Sequence, residues 1–125
     1  MRSHLSYSKA NDKRRFLRYE LLDYAHVYCT DEEPIKAVIV DIGLGGMQLR
    51  SRDQLEAGAS CRVHIGRLNA EPIVLSGEVR HSKAINGTDL YSLGVRFTPD
   101  THEEKLAIAE FVHGVFQRQC DSIAI

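Results

Sequence analysis

The chain has 125 residues, a length that suits one compact domain and leaves little room for two. Hydrophobic residues make up 43% and charged residues 26%, the proportions of an ordinary globule, which excludes collagen-like, coiled-coil and wholly disordered classes. The formal net charge is -1, so the chain as a whole does not attract polyanions and any anion site must come from local clustering.

Residues 1–12 carry Ser3, His4, Ser6, Ser8, Asn11 and Asp12 with few hydrophobes, and read as a flexible N-terminal arm without the apolar run of a secretory leader. No stretch reaches the ~18 to 20 apolar residues of a membrane span. Cys29, Cys61 and Cys120 are far apart in sequence and lack CxxC spacing, which argues against a disulfide framework or a zinc site. They read as reduced thiols packed as small hydrophobes, and the compartment as cytoplasm.

Lys13 to Arg18 form a basic run interrupted by Phe16 and Leu17. From Leu22 the pattern is that of strands. Tyr24, His26 and Tyr28 share one face, with Ala25, Val27 and Cys29 on the other. Pro34 follows a polar break, and Ile35 to Ile42 is an apolar, β-branched run expected to be a buried strand. After Gly43-Leu44-Gly45-Gly46, Met47 and Leu49 alternate with Gln48 and Arg50. Asp53 to Ser60 reads as a loop, and Cys61, Val63 and Ile65 alternate with Arg62 and His64. Arg67 to Pro72 is expected to turn the chain. Ile73, Leu75, Val79 and His81 are then placed on one face, with Gly77 allowing a bend or a close backbone approach.

Asn86-Gly87 is a turn signal, and Tyr91, Leu93, Val95 and Phe97 form a last alternating strand. The period then changes. Thr101 and Glu104 fit a capping box, and Leu106, Ala109, Val112 and Phe116, flanked by Ile108 and Val115, make an apolar stripe at helical spacing. About six short strands followed by one helix predict a mainly β fold, a small barrel capped by a C-terminal α-helix. Strands and helices do not alternate, so a doubly wound nucleotide fold is disfavoured.

Two clusters carry chemistry. In Lys13-Arg14-Arg15-Phe16-Leu17-Arg18, Arg14 and Arg18 are four residues apart, with Arg15 between them. A guanidinium is a planar fork of donors that holds phosphate bidentately and also stacks on flat rings. The alternative for this run is an ordinary solvated surface paired with Asp12, Glu20 or Asp23. The second cluster is Asp41-Ile42-Gly43-Leu44-Gly45-Gly46. A carboxylate accepts from the N1–H and N2–H₂ edge of guanine. Glycines admit positive φ and bring N–H groups close to a ligand, although a plain strand-to-strand turn explains them equally. No GK[ST] follows, so this is not a P-loop. The six histidines show no ligand spacing, and no catalytic constellation or metal set is found; His64 and His81 are expected as exposed barrel residues.

Arg-x-x-x-Arg followed by Asp-x-x-x-x-Gly resembles the signature of the PilZ family, RxxxR then [D/N]xSxxG. Leu93-Gly94-Val95-Arg96-Phe97 resembles that family's last core strand, and Phe111-Val112 its final helix. The resemblance implies a six-stranded antiparallel β-barrel over residues 13–118, with 119–125 as a C-terminal tail. It also implies a regulatory module that binds cyclic di-GMP, not an enzyme, with no other cofactor. Arg14 and Arg18 match the motif arginines, which in the family clamp phosphates and stack on guanine. Asp41 matches the D/N position and Gly46 the closing glycine. Arg15, inside the motif, is expected as an additional phosphate contact, and Lys13 stands where family members differ in ligand number. The expected partner is an unidentified effector protein acted on in trans, with the chain a monomer or ligand-linked dimer.

The alternatives are a PilZ-like protein adaptor that has lost the nucleotide, and a small nucleic-acid-binding barrel. The net charge and the lack of an aromatic strand platform disfavour the second. Gly43 replaces the family serine, removing a hydroxyl whose hydrogen bond is worth ~0.5 to 1.5 kcal/mol. Binding is therefore expected to be weakened by about two- to tenfold, not abolished. Calorimetric titration of Gly43→Ser should recover that factor; an unchanged affinity would show the hydroxyl to be irrelevant here.

Overall fold

The computed structural model describes residues 19–29, 33–67 and 70–123; the expected arm and the basic run at 13–18 lie outside them. In chain order the elements are β1 (Tyr19–Cys29), β2 (Ile35–Ile42), β3 (Gly46–Ser51), β4 (Ser60–Arg67), β5 (Ala70–Ala84), β6 (Tyr91–Phe97) and α1 (His102–Ile123). The strands form a closed barrel in the order β1-β2-β3-β6-β5-β4, with every pairing antiparallel and β4 closing on β1. Closure pairs every described strand with a neighbour on each side, which removes the free edge strands of an open sheet.

The expected alternation holds along most strands because a residue in a closed sheet faces either the core or water. Ala25 and Val27 of β1, Met47 and Leu49 of β3, Val63 and Ile65 of β4, and Leu93, Val95 and Phe97 of β6 are buried. Tyr24, His26 and Tyr28 lie outside. Each fully buried Ile, Leu or Val contributes roughly 1.5–3 kcal/mol over leaving it in water. The Asn86-Gly87 turn forms as expected. Gly87 has φ 80°, and the Ile85 N–H donates to the Leu90 carbonyl at 2.9 Å.

Several expectations change. β5 begins at Ala70, so the connection from β4 is shorter than Arg67 to Pro72. Between the pairs Ile65↔Ile73 and Arg67↔Ala70 the register slips, and an irregularity of this kind accommodates a proline that cannot donate to the ladder. His81 does not share the face of Val79. Val79 pairs with Val95 and His81 with Gly94, leaving Arg80 as an extra residue that reverses the phase of β5. His64 and His81, expected to be exposed, are both half-buried, and His64 lies against Tyr28, ring centroids 4.3 Å apart.

In α1 the buried face is Ile108, Phe111, Val112 and Val115, while Leu106 is 49% exposed. The buried set is thus rotated from the expected stripe. Both sets satisfy three-to-four spacing, and only packing of the helix against β5 and β1 selects between them. The helix also continues to Ile123, past the expected boundary at 118. At its start the Glu104 N–H donates to Thr101 Oγ1 at 3.1 Å. The returning bond of the capping box comes one residue early, from the Asp100 N–H to Glu104 Oε1 at 3.3 Å. None of the described helices is long and apolar enough to cross a membrane.

Far apart in sequence, Cys29 and Cys61 are direct partners across the β1–β4 seam. Both are reduced. Burial, and then the neighbouring Cys29, push the Cys61 thiol up to about 12, so it packs as a protonated hydrophobe.

β3 starts where only glycine fits. A Cβ on Gly46 would collide with the carbonyl oxygen of Val95 in β6, a backbone atom that cannot rotate away. Gly46→Ala is expected to lower stability by about 1–3 kcal/mol. The reading is a lower urea midpoint at unchanged slope; an unchanged midpoint would mean that β6 yields.

Candidate functional site

Asp41 is the penultimate residue of β2. Simple alternation from Ala37 and Ile39, both buried, would aim its carboxylate into the core, where an unpaired charge is costly. The structure avoids this with a bulge. Ile39 pairs with Leu49 and Asp41 with Gln48, so Val40 is an extra residue. The phase then flips: Val40 and Asp41 are both half-buried and Ile42 is fully buried. Asp41 therefore emerges on the outer face of the barrel.

The turn that follows is tied at both ends. The Gly43 N–H donates to the Gly46 carbonyl at 2.9 Å, and the Phe97 N–H donates to the Gly45 carbonyl at 2.9 Å. The second bond holds the turn to the end of β6. The expected use of positive φ here is not found: the left-handed glycines are Gly58 and Gly87. What the turn requires of Gly46 is closeness to β6, with Gly46 and Arg96 as direct partners.

Lys13, Arg14, Arg15 and Arg18 lie outside the described residues. The described chain opens at Tyr19, which pairs with Ile42, and the next residue, Glu20, pairs with Asp41. β1 thus starts alongside the last two residues of β2, one residue after Arg18 in the chain.

The structure also gathers residues that the sequence reading had not assigned. Gln48, the partner of Asp41, pairs on its other side with Gly94, and Gly94 pairs with His81. Nearby on the outer face, Arg96 Nη2 lies 3.0 Å from Glu78 Oε1. Alternation alone would have found Gln48. Nothing in the sequence marks the slip at Arg80 that brings His81 into this row. Two recesses, of about 490 Å³ and about 550 Å³, open elsewhere and include none of Asp41, Gly43 or Gly46. Among the described residues no three His, Cys, Asp or Glu side chains gather as a metal set.

The model of the PilZ domain family matches residues 12–114. Among solved structures, the PilZ domain of Escherichia coli YcgR with c-di-GMP is 13% identical with a TM-score of 0.71, covering 91% of this chain and 100% of that one. MrkH of K. pneumoniae, in a complex with c-di-GMP, is 18% identical with a TM-score of 0.71, covering 89% of this chain and 56% of that one. The Bacillus subtilis inhibitor of motility MotI/DgrA is 17% identical with a TM-score of 0.68, covering 90% of this chain and 54% of that one. The chain therefore spans about half the length of the last two. Comparison with curated protein sequences gave no match. The structural likenesses establish a shared fold. The family match extends over most of the sequence, and the chain belongs to the PilZ domain family.

Proposed function

We propose that this chain is a receptor module for cyclic di-GMP, gripped by Arg14 and Arg18 together with Asp41 and the Gly43–Gly46 turn, with Arg15 and Lys13 adding charge. The observation that carries the reading is the start of β1. Tyr19 is the partner of Ile42 and Glu20 of Asp41, so β1 opens, one residue after Arg18 in the sequence, beside the Asp41 end of β2. Had β1 begun at the far end of β2, the two halves of the motif could not have shared a ligand.

The chemistry is complementary. Each phosphodiester of the ligand carries a charge that a guanidinium meets with charge-assisted, bidentate hydrogen bonds. The same guanidinium can lie on a guanine face by cation–π attraction. The Asp41 carboxylate selects guanine over adenine because only guanine offers two donors on that edge. The relatives with c-di-GMP, YcgR and MrkH, support the same ligand. In this reading the module binds and signals without catalysis. Its output passes to an effector protein in trans, with the chain a monomer or ligand-linked dimer.

Calorimetric titration with cyclic di-GMP, with GTP and cyclic di-AMP as controls, tests the proposal. Saturable binding of cyclic di-GMP alone is expected. Arg14→Ala and Arg18→Ala should each weaken it at least about tenfold, or ~1.4 kcal/mol, with the thermal midpoint unchanged. Retained affinity in both variants would remove the clamp.

A further inference from the structure

Two bulges of the barrel fall on one row of its outer face. The extra residue Val40 turns Asp41 outward on β2, and the extra residue Arg80 turns His81 outward on β5. Across the adjoining strands β2, β3, β6 and β5 the row reads Asp41, Gln48, Gly94, His81, each the direct partner of the next. Bulges re-aim side chains and are enriched beside functional sites. Here they set a carboxylate and an aromatic ring on a common line, three inter-strand steps or about 14 Å apart along the sheet.

The residue between them fits this arrangement. Gly94 is buried although it faces outward, because the His81 imidazole lies across it. A Cβ on Gly94 would collide with the Cε1, Nδ1 and Nε2 atoms of that ring. The ring is therefore laid on the strand and still half-exposed. Burial, and then the Lys83 ammonium, hold the imidazole below its ordinary range, which favours the uncharged ring. An uncharged ring on this face can meet a base by stacking.

We propose that His81 is a base-stacking residue of the nucleotide site, receiving one purine of the dinucleotide while Asp41 reads the other, with Gln48 and Gly94 forming the floor between them. This rests on the cyclic di-GMP reading and deepens it. The two bases need supports of different kinds: an edge acceptor at Asp41 and a π-face at His81. Stacking on an aromatic side chain is tolerant of base identity, so guanine selectivity is assigned to the Asp41 end.

Calorimetric titration of wild type, His81→Ala and His81→Phe with cyclic di-GMP is the test, joined by fluorescence of His81→Trp. The chain contains no tryptophan, so that variant carries a single reporter on the row. His81→Ala should bind about tenfold more weakly, the usual scale for loss of one stacked base. His81→Phe should stay within about threefold of wild type, and the His81→Trp emission should be quenched on saturation. If wild type binds and His81→Ala binds equally well, or the indole emission does not change, His81 is no part of the site and the nucleotide reading stands. If wild type does not bind at all, the nucleotide reading falls and this inference falls with it.

Discussion

In a closed sheet each side chain has two possible surroundings, a packed core or water, and a one-residue slip exchanges them for every residue beyond it. The barrel depends on this constraint both where it obeys a period of two and where it departs from it. Regular alternation builds the core from Val27, Ile39, Leu49, Val63 and Leu93. The departures at Val40 and Arg80 bring polar groups to the surface that regular pleating would have buried. A carboxylate at position 41 is compatible with a stable core only because β2 slips once before reaching it.

The turn between β2 and β3 shows how stability and a binding face share the same atoms. Gly46 is held by the approach of Val95, and Gly45 by the Phe97 N–H. Both constraints come from β6, and neither needs a ligand. The glycines of the motif therefore have a mechanical reason to be there that is separate from nucleotide recognition. Gly43 is different. It stands at the serine position of the signature that the sequence resembles, and its N–H is already committed to the Gly46 carbonyl.

Much of this architecture was legible because its signals repeat. Strands β1, β3, β4 and β6 each show several alternations in a row, so a single exception could not hide them. The Thr101 cap and the Asn86-Gly87 turn rest on local chemistry and also survived. What failed were phases. The helix stripe was misplaced because Leu106 and Ile108 are equally apolar and only tertiary packing tells them apart. His81 was assigned to the face of Val79 because a bulge leaves no mark in composition. Asp41 was singled out for its place after an apolar run, yet the geometry that aims it outward could not be read. The Cys29–Cys61 pairing across the barrel seam was likewise invisible at their separation in sequence.

β5 is long enough to serve two neighbours. Its first part is laddered to β4 and its second part to β6, with Gly77 and Glu78 common to both. It carries His81 on the outer face near one end, and it is also one of the strands on which α1 rests. The outer-face row and the support of the helix therefore meet in one strand, with the extra residue Arg80 next to the ring.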